Sequence, residues 1–343
     1  MNSIRFLILF SGLLWSCLLA PSAAAQEKAR PVDRLYMDMR ASFHQGFSKD
    51  DYEGQFLGEH LNFQMMGHIT PKVDYRIRQR LNKKVFDEKN IFNATDFLYV
   101  NYRATERWSF MAGKQAVLIG GYEYDAAPID VYYYSQFCNN LYQGFTFGVS
   151  ASYRMAEGQD VVLQVVNSPL SLGLVNLFAY NLAWSGHFAP WWKTIWSVNF
   201  VQDQDGRFVN YIALGNHFSF RNVIFDVDVM NRAGLTQKQF LFSDFSVISK
   251  IIWSVGKWNI CAKGGYEKNA PGNIDAAGRP FDVVIAPGTQ YGYYGCGLEW
   301  FPLRSDLLRL HAVYYRDTAV RRHHVDLGVT WRIDIIGGGH SGN

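Results

Sequence analysis

Arg76, Arg78 and Arg80 are the residues best placed by type and spacing to act on another molecule. In an extended chain successive side chains point to opposite faces. These guanidinium groups therefore share one face with Lys72 and Asp74, while Val73, Tyr75, Ile77, Gln79 and Leu81 share the other. A helix would scatter them around its circumference. Each guanidinium is permanently charged and carries planar donors that suit phosphate or carboxylate, so a row of them offers a track along which an anion can move. The alternative is that they pair with Asp74, Asp96, Glu123 and Asp125 and only fix neighbouring chain. The alternation alone leaves both open.

Other reactive residues carry less. His217 with Ser219, and His311, are the available pieces of a hydrolytic site, but none stands in a recognisable nucleophile setting. His323 and His324 point to opposite faces of a strand and make a poor metal pair, so no metal site is expected. No phosphate-binding glycine loop, dinucleotide fingerprint or basic patch suited to nucleic acid is present, and no cofactor is expected. Cys138, Cys261 and Cys296 give an odd number after Cys17 is removed, and no disulfide framework follows. By alternation Cys261 faces inward and Cys296 outward.

The elements that must hold these residues are strands. From Leu35 onward the chain runs in segments of roughly ten residues with period-two alternation, separated by short turns or Gly-rich loops. The clearest are Tyr36 to Phe43, Leu61 to Met66, 72–81, Asp96 to Arg103 and Trp108 to Gln115. They are followed by 143–154, 160–167, 176–186, 191–202, 208–219, 222–231, 240–253, 257–267, 289–300, 305–316 and 322–335. This gives about sixteen strands, an even number as an antiparallel barrel requires. Aromatic residues make up 16% of the 343-residue chain, and Trp108, Trp191, Trp192, Trp253, Trp258, Trp300 and Phe301 fall at strand ends, where membrane interfaces attract amphipathic rings. No apolar run after Gln26 reaches the ~18 residues of a spanning helix, so only a closed barrel could cross a bilayer. A soluble β-sandwich would also alternate, but with fewer aromatics at strand ends.

The chain opens with an export signal: Arg5 is the positive region, Phe6 to Ala20 the apolar region, and Ala23-Ala24-Ala25 the cleavage site. Trp15 stands where a lipoprotein signal would have a small residue, which argues against Cys17 as a lipid acceptor. The expected organisation is a signal peptide over 1–25, an extension over 26–34, a transmembrane barrel over 35–336 and a polar tail over 337–343.

One connection is too apolar and aromatic for a solvated loop: AVLIGGYEYDAAPIDVYYYSQFCNNLY, residues 116–142. With Gly113-Lys114-Gln115 before it and Gly120-Gly121-Tyr122-Glu123 and Asp125 to Phe137 within it, this stretch resembles the phosphate-selective porin O and P family, in the divergent form familiar from the Bacteroidota. A second similar stretch runs from Tyr291 to Arg316, with YGYYGCGLEWFP followed by LLRLHAVYYRD. The resemblance implies a barrel of 16 strands, homotrimers, and a third loop folded inward to narrow the pore. Gly120, Gly121, Tyr122, Glu123, Asp125, Asp130, Tyr132 and Tyr134 would belong to that loop, and Arg76, Arg78, Arg80 and Lys114 would line the passage, with Arg103 set on the inward face by alternation.

The rest of the polar face is mixed, with Asp38, Asp74, Asp226, Asp228, Glu299 and Asp326 set against Arg40, Lys263, Arg309 and Arg332. Selectivity depends on which charges sit at the narrowest point, so the net charge of +3 decides nothing. The expected function is passive diffusion of small hydrophilic solutes across the outer membrane of a Gram-negative bacterium, with anions or phosphate preferred. The alternatives are a plugged structural or binding barrel and an outer-membrane barrel hydrolase. Expected partners are outer-membrane lipid, small or anionic solutes and two further copies of the chain.

Overall fold

Period-two alternation resolves into sixteen strands in the computed structural model, which describes residues 31–83, 91–141, 144–171, 173–303 and 307–337. They are β1 (Arg34–Phe47), β2 (Tyr52–Thr70), β3 (Val73–Arg80), β4 (Thr95–Arg103), β5 (Trp108–Ala116), β6 (Phe145–Ala156), β7 (Gln159–Asn167) and β8 (Phe178–Ala189). The second half comprises β9 (Trp192–Gln202), β10 (Phe208–Phe220), β11 (Val223–Gly234), β12 (Asp244–Val255), β13 (Trp258–Asn269), β14 (Gln290–Trp300), β15 (Leu308–Asp317) and β16 (Arg322–Ile336). Every strand pairs antiparallel with its neighbour in sequence. β1 closes on β16, with Met39 opposite Trp331, so no sheet edge is left open to lipid. The expected signal peptide and most of the extension and tail lie outside the described residues.

The two ends of the barrel differ. At one end the connections are short, several of only two residues: 71–72, 157–158, 190–191, 221–222 and 256–257. At the other end lie the long connections 81–94, 117–144, 168–177, 235–243 and 270–289. Outer-membrane barrels carry short turns on the periplasmic side and long loops outside, which fixes the expected orientation.

The outward face is apolar. Leu163, Leu182, Phe200, Ile260, Leu298 and Leu327 are all exposed, a distribution unfavourable in water and favourable against hydrocarbon. Around the short-turn end Trp258 and Trp300 stack at 5.8 Å and Trp191 lies 5.5 Å from Phe220, as interfacial rings do. No helix among the described residues is long and apolar enough to span a membrane.

The inward face is of two kinds. On β1 to β5 it is charged and polar, with Asp38, Arg40, Asn62, Gln64, Arg78 and Asp96 buried. On β7 to β11 it is apolar toward the long-loop end. There Val166, Ala179, Val201, Val209, Tyr211 and Met230 pack with Val117, Ile119, Phe137 and Leu141 of the 117–144 connection and with Val284 and Ile285 of the 270–289 connection. Part of the barrel is thus filled by a hydrophobic core of the sort found in soluble proteins.

Candidate pore-lining site

The arginine row lies on β3 as its spacing requires. Arg78 Nε is 2.8 Å from Asp96 Oδ2, and Arg80 Nη2 is 2.8 Å from Asp96 Oδ1, so two guanidinium groups share one carboxylate. A register shift between Arg78 and Gln79 in the pairing of β3 with β4 brings both Asp96 and Phe97 against the row. Arg76 differs from its neighbours. Its Nη2 donates to Gln64 Oε1 at 2.8 Å and its guanidinium carbon sits 4.2 Å from the Phe97 ring centre, but among the described residues no carboxylate pairs with it. Toward the short-turn end Arg103 Nε lies 3.4 Å from Asp74 Oδ2, which also accepts from Asn101 Nδ2. The row therefore carries more positive than negative charge, with Arg76 as its uncompensated member.

Lys114 requires a correction. It stands opposite Leu98 and Phe147, on the face it shares with exposed Phe110 and Ala112. Its ammonium donates to the Phe92 carbonyl, so it is a rim lysine on the outer wall and not a member of the arginine row. The physical reason is parity: Gln115, its neighbour, is the residue that turns inward and bonds Ser150 and Gln164.

Segment 117–144 makes its contacts with inward-facing side chains around much of the ring. Gly120 and Gly121 allow it to lie flat on the wall: a Cβ on Gly120 would fall 2.6 Å from the Ile195 carbonyl oxygen, and one on Gly215 would fall 2.7 Å from Gly121 Cα. The Gly120 amide donates to Ser197 Oγ at 2.8 Å, and the amides of Tyr122 and Glu123 donate to the two oxygens of Asp228, both at 2.8 Å. Glu123 in turn accepts from the Ser135 amide at 2.7 Å and faces Lys263 Nζ at 3.4 Å. Tyr132 donates to Glu299 at 2.6 Å. Arg40 Nη1 donates to the carbonyls of Ile129 and Val131, and Arg309 pairs with Asp130 at 3.0 Å. Lys263 Nζ also lies 5.9 Å from the Tyr134 ring centre. Beneath the segment is a cavity of about 330 Å³ lined by Tyr122, Asp125, Tyr132, His217, Asp226 and Lys250, among others. Desolvation by the surrounding side chains holds the Asp125 carboxyl above its ordinary range.

Eight loop residues named from sequence therefore lie on one segment, while the anchors that hold it come from four strands: Asp228 on β11, Lys263 and Glu267 on β13, the latter accepting from the Gln136 amide, Arg309 on β15 and Arg40 on β1. Alternation marks each anchor as inward but carries no information about which stretch of chain it will meet. The hydrolytic pieces do not assemble. His217 Nδ1 lies 2.6 Å from Asp226 and His311 Nε2 lies 3.0 Å from Asp326, but Ser42 Oγ donates to Asp326 itself and not to an imidazole. Cys138, Cys261 and Cys296 are free, and the paired positions put Cys261 inward and Cys296 outward, as alternation requires.

Residues 35–194 match the family described as phosphate-selective porin O and P. The second stretch of resemblance, Tyr291 to Arg316, falls outside the matched residues. Among solved structures, an anion-selective porin from Comamonas acidovorans aligns with a TM-score of 0.59 at 8% identity, over 87% of this chain and 98% of that one. A loop L8 deletion mutant of OmpT, an outer membrane protein of Vibrio cholerae, aligns with a TM-score of 0.58 at 12% identity, over 88% and 99% of the two chains. The trimer form of in-vitro folded OmpT aligns with a TM-score of 0.56 at 11% identity, over 88% and 99%. At these identities the likeness is one of fold. No curated protein matches in sequence. Residues 35–194 are thus similar to the phosphate-selective porin O and P family, and the described strands close into a barrel of the porin type.

Proposed function

We propose that the protein is an outer-membrane porin through which small hydrophilic solutes diffuse passively, with anions and phosphate preferred. The observation that carries this reading is the arginine row of β3, two members sharing Asp96 and the third, Arg76, without a carboxylate partner among the described residues. A cation with unspent donors on the wall of a passage replaces part of an anion's hydration and raises its local concentration. Segment 117–144, anchored to the opposite wall, narrows the passage that remains beside β1 to β5. Family and fold point to a channel and away from an enzyme.

The finer assignments belong to the same reading. Residues 1–25 direct export and are cleaved near Ala25. The apolar outer face sits in outer-membrane lipid, and three copies assemble, as in the trimer form of OmpT. A plugged barrel remains the second reading because a hydrophobic core occupies part of the interior. Single-channel recording of the refolded protein separates the two. Stable open steps, a reversal potential showing anion preference and partial block by phosphate are expected. Folded, heat-modifiable protein that gives no steps at all would leave the plugged barrel in its place.

A further inference from the structure

On the inner wall near the long-loop end, β1 and β16 bring together two histidines 280 residues apart in sequence. His44 stands opposite Asp326 and Gly46 opposite His324, so the two imidazoles are diagonal neighbours on one face. His44 Nε2 and His324 Nδ1 are 3.3 Å apart. The other nitrogen of His44, Nδ1, faces Asp326 Oδ2 at 3.6 Å, and the second oxygen of Asp326 is 3.0 Å from His311 Nε2. His324 is held flat by Tyr315, stacked on it at 4.5 Å. Gly46 leaves room beside the pair for the Arg322–Glu53 ion pair: a Cβ there would lie 2.8 Å from Arg322 Nε and 3.0 Å from Glu53 Oε1.

Two imidazole nitrogens bound to one tetrahedral ion at about 2.0–2.1 Å lie roughly 3.3 Å from each other, which is the separation found here. A carboxylate near the far nitrogen of a ligating histidine favours the ring as a donor through its charge, and Asp326 Oδ2 stands 3.6 Å from His44 Nδ1, just beyond hydrogen-bond length. No cluster of three or more metal-ligating side chains exists among the described residues, so water would complete the coordination. We propose that the outer mouth carries a two-histidine site, His44 with His324, for a borderline divalent ion of the Zn²⁺, Ni²⁺ or Cu²⁺ type. An ion held there adds positive charge to the inner wall at the mouth and obstructs it, giving the passage a metal-sensitive entrance.

Equilibrium dialysis of the folded protein in detergent against zinc chloride and nickel chloride tests this without requiring that the barrel conduct, so its failure is distinguishable from failure of the porin reading. A single ion per chain is expected. His44→Asn or His324→Asn should abolish saturable binding, Asp326→Asn should weaken it by about tenfold, and His187→Asn, at the short-turn end, should leave it unchanged. Folding of each variant is checked by heat-modifiable gel mobility. If the wild-type protein binds no ion at millimolar metal, or the His44→Asn, His324→Asn double variant binds as wild type does, the site is refuted and the two imidazoles simply share a hydrogen bond.

Discussion

The walls formed by β1 to β5 and by β7 to β12 are built from the same alternating pattern and end up physically unlike. On the first, inward arginines meet single carboxylates and aromatic faces: Arg78 and Arg80 share Asp96, and Arg76 lies over Phe97. On the second, inward side chains are covered by two loops and packed as a core. At its edge Arg232 is fully buried, with Asp244 Oδ1 at 2.7 Å from one side and Asp282 Oδ2 of the 270–289 connection at 3.0 Å from the other. An arginine facing water or solute keeps its charge available, whereas an arginine enclosed by two carboxylates has become a structural pin. Position on the inner face of a strand does not by itself make a residue part of a pore.

The contrast can be broken most sharply at the pin. Arg232→Ala leaves two carboxylates buried without their counter-charge and should cost about 3–5 kcal/mol, read as a lower urea midpoint for the folded protein in detergent and as new protease cleavage within 270–289. Phe137→Ala removes the loop ring that lies 5.6 Å from Tyr211 and should cost about 3 kcal/mol, with noisier channel steps as the segment loosens. The same measurements on Arg76→Gln should show almost no loss of stability. There the change is functional, with anion preference reduced and phosphate block weakened by about tenfold, or ~1.4 kcal/mol. Equal block in Arg76→Gln and wild type would remove Arg76 from the transport path.

The smallest effect concerns the rim. In the 270–289 connection Asp275 accepts from the amides of Arg279 and Ala277 and pairs with the Arg279 and Arg207 side chains, and the hydrogen bond from the Arg279 backbone leads in holding its carboxyl down at about 2. A folded value below the unfolded one, about 4, means that its contribution is complete above pH 4 and is lost as pH falls through 2. Carboxyl-carbon NMR of labelled protein should place its midpoint near 2. An ordinary midpoint would show that the rim network does not persist in solution. Arg76, which lacks such a partner, provides the opposite case on the facing wall.

Much of the fold was legible in the residues because a strand inside a barrel must alternate. The paired segments fall within a few residues of where alternation puts them, β2 being the main exception. Its first half, from Tyr52, lies outside the Leu61 to Met66 segment that alternation marks, yet it pairs with β1 across Tyr52 to Gly58. Parity also placed Arg76, Arg78, Arg80 and Arg103 on one face, and it is parity that excludes Lys114 once Gln115 is seen to turn inward.

The strand rhythm, the aromatic residues at strand ends, the arginine row and the apolar character of residues 116–142 are readable from the residues alone, since each depends on neighbours a few residues away. Only the tertiary structure decided which arginine is uncompensated, which charges pin the loops, and that His44 meets His324. Those outcomes depend on barrel closure, which brings β1 against β16, and on two loops crossing to strands far away in sequence. Alternation specifies a face and carries no distance across the barrel, so it cannot say which charge will find a partner there.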